Sequence, residues 1–534
     1  MKNTNQLIKF IQSKKHRLVA AFQSQPLFYG FLSLIIILGA WLRLYSLEST
    51  LMFQGDQGRD ALIVARIFRE LDPVFIGPVT SVGNMYLGPF YYYFMLPFLM
   101  LSYPSPIGPA IGVALVNIIT IFLMYYWGQA FVGKKAALWA SFFFAFSHIA
   151  IIYARFSWNP NLSAFFSLMV LYLTLKAYQS SSKYYLSLGL AAGLLIQLHY
   201  VNLILIPVIG IFWLKKAFLT HRKEKSKLKS FYVHSFLALL IFSLTFVPLA
   251  LFDWKYDWRN TQAAFSIFSQ ESSFNPQGLD KSFIQVIIQT LIKVPGRLTH
   301  LFATLFIPNL DVYSLRVAFG VLVFIAIIYL TLIRPAKKYQ SSLQLLGLSS
   351  IISLFALVFY NHSVFDHYIL FFLPILFLLF GYLISLFSTQ KFYSIICFLF
   401  LLFYFFGNYR SNFFYPTTPQ LADLHRITNV LLGELKENET FNFVLINDNR
   451  DLLGDHYRYF FSTKTTQLLP MENFYDADVF FVIDETLEAN LYEQESYQIV
   501  IFRNYPDATL SAIPYDGGPL LYKFVRTEGH HEKN

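Results

Sequence analysis

Residues 53–68 read FQGDQGRDALIVARIF, and three of them, Asp56, Arg59 and Asp60, crowd chemically capable groups into one short stretch. On a helix, Asp56 and Asp60 fall at i and i+4 on one face, while Arg59 and Arg66 share a neighbouring face. A carboxylate can remove a proton from a hydroxyl, and a planar guanidinium can hold a phosphate through two parallel hydrogen bonds. Those are the parts needed to move a sugar off a lipid phosphate. The plainer reading of the same residues is an amphipathic surface helix with solvated charges, Asp56 serving as its N-cap.

Two further groups could join them. In YARFSWNPN, residues 153–161, Arg155 stands with Tyr153 and Trp158; it either anchors a helix end among lipid headgroups or contacts the same phosphate. In NHSVFDHYILFFLP, residues 361–374, His362, Asp366 and His367 gather at one end of an apolar run. Three such scattered residues make a weak metal set, and Asp366 also suits the start of a helix, so a divalent metal stays open and no cofactor is assigned. There is no phosphate-binding P-loop, zinc pattern or GxSxG elbow, which leaves nucleotide hydrolysis and serine chemistry without support.

The elements that position these groups follow from composition. Of 534 residues, 56% are hydrophobic and 13% charged, with 59 Phe and 35 Tyr. Apolar runs near twenty residues recur from Phe28 to Gly407, the length that crosses a hydrocarbon core of roughly 30 Å. The expected fold is a polytopic α-helical membrane protein of about eleven spans with a small C-terminal extracytoplasmic α/β domain. The net charge of +10 comes largely from short basic connections at 133–135, 215–229 and 334–338. Such segments face the cytoplasm, so the charge speaks for membrane topology and against nucleic acid. The single cysteine, Cys397, excludes an intramolecular disulfide.

On this count residues 1–26 form a cytoplasmic segment, 27–409 the membrane domain and 410–534 the outer domain. The run at 88–102 is short for a span, and 184–214 is either one long helix or a tight pair broken near QLHYVN. Three segments face outside: 46–87, 253–313 with DWKYDWRN and the amphipathic FIQVIIQTLIKVPGRLTHLF, and 361–367. Beyond residue 410, TPQLADLHRITNVLLGELKE has helical periodicity, while FNFVLI, DVFFVID and YQIVIF read as strands.

The arrangement resembles the GT-C membrane glycosyltransferases, particularly the protein O-mannosyltransferase and lipid A aminoarabinose transferase branch. GDQGRDALIVAR is similar to the family's acidic motif after the first span, with Asp56 at its aspartate, Gln57 in place of a glutamate, and Arg59 at an arginine of the aminoarabinose transferases. GPVTSVGNMYLGPFYYYF, ARFSWNPNLSAFF, LGLAAGLLIQLHY and DHYILFFLPILFLLFG are also similar, so the resemblance runs over roughly residues 27–408. Two departures stand out: Asn159 or Asn161 stands where many members have an aspartate, and YLGP at 86–89 stands where a basic residue precedes the proline.

The resemblance implies an inverting glycosyltransferase in the plasma membrane, with its active site outside the cytoplasm. Its donor would be a polyprenyl-phosphate-linked sugar and its acceptor a glycan, lipid or protein. Asp56 would be the general base, with Arg59, Asp60, Tyr86, Arg155 and His367 binding substrate and phosphate. Tyr91, Tyr92 and Trp158 would line the lipid or sugar path, or belong to an interfacial aromatic belt. The rival reading is a transporter or flippase of lipid-linked sugars, which would show internal repeats and ionisable residues at mid-membrane depth. The sequence shows no convincing repeat, and its charges gather at span ends.

Overall fold

The structure is a computed structural model that describes residues 25–80, 85–269, 283–306, 312–360, 363–387, 391–409, 411–415, 420–448, 453–487, 490, 491, 493, 496–504 and 508–526. His362 and almost all of the 1–26 segment lie outside the described residues. Among the described residues, eight helices are long and apolar enough to cross a membrane, from Pro26–Leu44 to Asp366–Phe387, and three shorter apolar helices accompany them: Phe90–Ser102, Tyr184–Leu198 and Ile395–Asn408.

The first span ends in a buried cation. Arg43 donates to the carbonyls of Gly39, Ala145 and Phe144, each at 3.0 Å, so the desolvated guanidinium takes up backbone acceptors at the crossing of two helices. After a turn at Glu48–Thr50 the chain enters the helix Gly55–Arg69. That helix buries Ala61, Val64, Ala65 and Ile67 and turns its charged first turn towards a cleft. Its N-cap is Gln54, whose N–H donates to Gln57 Oε1 at 3.0 Å. Asp56 is therefore not the cap, and the plain account of it as a capping residue loses its ground.

The 184–214 run is a pair of helices, Tyr184–Leu198 and Leu205–Lys223, joined through His199 and a 3-10 turn at Tyr200–Ile204. Polar side chains hold the ends that a broken helix leaves without partners. His199 Nδ1 accepts the Val201 N–H at 3.1 Å, Asn202 Nδ2 donates to Leu195 O at 2.8 Å, and Gln197 bridges Phe90 N–H and Thr245 O.

Beyond the last apolar helix lies a four-stranded sheet in the order β1-β2-β4-β3, built from Phe441–Ile446, Val479–Asp484, Ala508–Ile513 and Leu520–Arg526. β1 and β2 run parallel, and β4 is antiparallel to both β2 and β3. The strand alternation splits the core in two. Phe441, Phe443, Leu445, Phe481 and Ile483 belong to the same apolar cluster as the membrane helices, whereas Val444, Phe480 and Val482 form a separate cluster with Ile499 and Phe502. One face of the sheet thus shares a core with the membrane domain.

YQIVIF, expected as a strand, is instead part of the helix Tyr497–Asn504. Its buried residues, Ile499 and Phe502, are spaced i, i+3, and Phe502 stacks on Phe480 of β2 at 4.3 Å. A short apolar run reads equally as strand or helix until its partner is known. The strands β3 and β4, ATLSAI and LLYKFVR, have mixed burial and show no clear strand pattern in the sequence.

Candidate functional site

Asp56, Arg59 and Asp60 sit together in the first turns of Gly55–Arg69, but in different surroundings. Arg59 Nη1 donates to Asp56 Oδ1 at 2.8 Å, and its Nη2 and Nε donate to Asp60 Oδ1 at 2.8 and 3.0 Å. Tyr92 Oη adds a third hydrogen bond to that oxygen at 3.1 Å. The Asp56 side chain is 49% exposed and that of Asp60 only 1%, so one carboxylate faces the cleft and the other backs the arginine. Burial pushes the Asp60 carboxyl up from 3.8 to about 6, against the opposing pull of Arg59. Burial alone would lower the Arg59 guanidinium; Asp60, Tyr92 and Asp56 more than offset it and hold the charge above its ordinary value.

Two cavities meet at this triad. One, of about 970 Å³, is walled mainly by apolar residues including Leu203, Ile204, Phe246, Leu249 and Leu357. The other, of about 1610 Å³, opens between the membrane domain and the C-terminal domain and includes Asp423, Asp448, Asp455, His456 and Glu485 in its wall. Asp56, Arg59, Trp158 and His367 line both. A carboxylate held by an arginine at such a junction can meet a lipid-linked molecule on one side and a polar one on the other.

Of the other residues singled out in the sequence, His367 joins the triad's cleft. Its ring packs at 4.6 Å from Trp158 and 5.6 Å from His199, forming an aromatic wall with Phe365 and Tyr368. Tyr86 does not line either cavity among the described residues; its backbone is pinned instead, the N–H donating to Asn260 Oδ1 at 2.6 Å and the carbonyl accepting from Tyr200 Oη at 2.6 Å. Arg155 is buried elsewhere, donating to the carbonyls of Leu42 and Tyr45 at 2.9 and 3.0 Å and to Thr50 Oγ1 at 2.5 Å. It fastens the C-terminal end of the first span rather than facing the cleft. Arg66 pairs with Asp72 at 3.0 Å, half exposed and apart from the triad. Tyr91 bonds Ser157, and Tyr92 bonds Asp60.

Asn159 and Asn161 explain their own departure from the family pattern. Asn159 Nδ2 donates to Leu198 O at 2.6 Å and Asn161 Nδ2 to Phe156 O at 2.8 Å, both buried. A carboxylate has no proton to offer a carbonyl, so only the amide fits here. Asp366 lies 3.5 Å from His300, and among the described residues no group of three His, Cys, Asp or Glu is placed to hold a metal ion.

Sequence reasoning missed three contributions. DWKYDWRN folds back on itself: Asp253 accepts the N–H groups of Asn260 and Thr261 at 2.6 and 3.0 Å, while Asp257 and Trp258 take left-handed φ values of 52° and 58°. Such backbone is sparsely populated for residues other than glycine, and here it swings Trp258 into the apolar cavity. The Asp and Asn of that segment were a turn signal that could have been read. His199 lies in the QLHYVN break, which marked a helix interruption but no site, and the C-terminal wall carried no local signal.

Comparison with known proteins bears on the fold that carries this site. A family model for dolichyl-phosphate-mannose-protein mannosyltransferase matches residues 87–249. No curated protein matches the chain by sequence. Among solved structures, the chain is similar to ArnT from Cupriavidus metallidurans bound to undecaprenyl phosphate, at 12% identity and a TM-score of 0.56, over 92% of this chain and 98% of that one. It is also similar to the oligosaccharyltransferase AglB from Archaeoglobus fulgidus in complex with an inhibitory peptide and a dolichol-phosphate, at 13% identity and a TM-score of 0.54, over 96% of this chain and 75% of that one. At these identities the likeness is one of fold: the chain has the fold of the GT-C membrane glycosyltransferases.

Proposed function

We propose that the chain transfers a sugar from a polyprenyl-phosphate donor to an acceptor hydroxyl on the outer face of the membrane, with inversion, and that Asp56 is the general base. The observation that carries this reading is the position of Asp56 and Arg59 at the meeting point of an apolar and a polar cavity. The match to a mannosyltransferase family model and the polyprenyl phosphates bound by proteins of the same fold support it.

In this mechanism the donor's isoprenoid chain occupies the apolar cavity and brings its phosphate beside Arg59. The guanidinium already spends Nε on Asp60, but Nη1 and Nη2 each carry a second proton with which to bind a phosphate oxygen. The acceptor hydroxyl arrives from the polar cavity. Asp56 removes its proton as its oxygen attacks the anomeric carbon, the bond from that carbon to the phosphate oxygen breaks, and the electron pair leaves with the polyprenyl phosphate. Arg59 stabilises the negative charge that grows on the leaving group, an effect strengthened in a cleft partly closed to water.

Asp56→Asn tests the assignment. The amide keeps the shape and cannot take a proton, so transfer by the purified protein should fall by about a hundredfold or more while polyprenyl-phosphate binding persists. Because Gln54 is the cap, no loss of helix is expected to confuse the result. Near-parental transfer by the folded variant would remove Asp56 from the reaction.

A further inference from the structure

We infer that His199, at the break between the helices Tyr184–Leu198 and Leu205–Lys223, is a donor-binding residue that gives its Nε2–H to the lipid-linked phosphate; this rests on the proposed transferase reading and adds a contact on the donor side of that site. The tautomer follows from a backbone contact. His199 Nδ1 accepts the Val201 N–H at 3.1 Å, so in the neutral ring the proton stands on Nε2. That nitrogen has no hydrogen-bond partner among the described residues, and it is open rather than sealed in the packing: the residue is partly exposed and lines the apolar cavity.

The position of this N–H selects its acceptor. The His199 ring stands 5.6 Å from that of His367, which packs 4.6 Å from Trp158; His367 and Trp158 line both cavities together with Asp56 and Arg59. His199 lines only the apolar one, a single ring in from the junction. A lipid-linked sugar carries its parts in the order isoprenoid chain, phosphate, sugar, so on the apolar side of the junction the first oxygens it offers are those of the phosphate. When the chain fills a cavity walled by Leu203, Ile204 and Leu357 and expels its water, the N–H is stranded unless the ligand supplies an acceptor. The phosphate has a matching need. Arg59 is the one Lys or Arg in the described lining of either cavity, and it is already shared between Asp56 and Asp60. As the sugar departs, the phosphate gains negative charge, and a second N–H donor helps to bear it.

Two amides separate the ring's two contacts, because an asparagine amide falls near the place of Nδ1 and a glutamine amide near that of Nε2. Binding of undecaprenyl phosphate, undecaprenol and inorganic phosphate to the purified full-length protein is measured alongside thermal melting. His199→Asn keeps an acceptor for Val201 and loses the outer donor, so it should melt near the parent yet bind undecaprenyl phosphate about tenfold more weakly, with undecaprenol binding unchanged. His199→Gln should melt earlier and keep most of the affinity. Inorganic phosphate at the same concentration should not displace the lipid; displacement would assign the contact to a free phosphate instead of the donor. Unchanged undecaprenyl phosphate affinity in His199→Asn, equal losses for both lipids, or weaker binding in His199→Gln than in His199→Asn would each reduce His199 to a packing or capping residue and overturn the inference. Parent protein that binds undecaprenyl phosphate with this dependence on His199 but transfers no sugar would sink the transferase reading alone, whereas parental affinity and parental transfer in His199→Asn would sink this contact alone.

Discussion

Arg59 binds Asp60 side-on, with Nε and Nη2 both directed at the same oxygen, Oδ1, at 3.0 and 2.8 Å. The other oxygen, Oδ2, is buried without a hydrogen-bond partner. Asp60 therefore acts on the cleft only through the arginine, as a positioning residue, although its place in the sequence suggested direct contact with substrate. An ionised Asp60 holds Arg59 firmly; a protonated one holds it less well.

That difference predicts a pH dependence. With the Asp60 carboxyl raised to about 6, transfer should decline as the pH falls through that value, and Asp60→Asn should lose the limb along with about tenfold of its rate. The sign for folding is opposite. A carboxyl raised above its unfolded value contributes stability that is complete below about pH 4 and is lost as the pH rises through about 6, so acid should silence the protein without unfolding it through this group. Rate and thermal melting profiles on the same samples check both halves; an acid limb that persists in Asp60→Asn protein would exclude Asp60 as its source.

Gly58 should not tolerate a side chain. A Cβ there would overlap the backbone of Asp455 and His456, at the start of the helix Asp455–Lys464 in the C-terminal domain. Because backbone cannot swing aside, Gly58→Ala should cost about 1–3 kcal/mol of overpacking at this contact and loosen the domain from the helix Gly55–Arg69. Limited proteolysis reads it directly: faster cleavage between the two domains than in the parent is expected, and an unchanged pattern would show that the contact yields easily.

Arg155→Gln should lower thermal stability by several degrees while leaving the affinity for polyprenyl phosphate near the parental value. The guanidinium holds four acceptors at the end of the first span, and glutamine can reach fewer of them, leaving buried carbonyls unpaired. A large loss of lipid-phosphate binding in stable Arg155→Gln protein would instead place the residue in the donor site.

The proposed orientation puts the sheet outside the cytoplasm. With Cys397 replaced by serine, Ser511→Cys on the exposed β3 strand should react with a membrane-impermeant maleimide in intact cells. Labelling that requires lysis would invert the topology and move Asp56 to the other face with it.

The sequence by itself determined what local pattern can determine. Apolar runs of span length gave a polytopic helical protein, and the spacing of Asp56, Arg59 and Asp60 put them within reach of one another, because a helix fixes the distance between neighbours in the chain. FNFVLI and DVFFVID declared themselves as strands for a similar reason: each is a short segment rich in β-branched and aromatic apolar residues, and each is buried over nearly its whole length in the sheet. Only the tertiary structure decided that Asp60 faces inward and Asp56 outward, that Arg155 belongs to the first span, and that YQIVIF is helical. It alone brought His199, Trp258 and His456 to the cleft. Those outcomes depend on which surfaces meet, on backbone carbonyls more than a hundred residues away and on a sheet face that shares the membrane domain's core. Burial and desolvation are properties of the packed molecule, and no spacing along the chain encodes them.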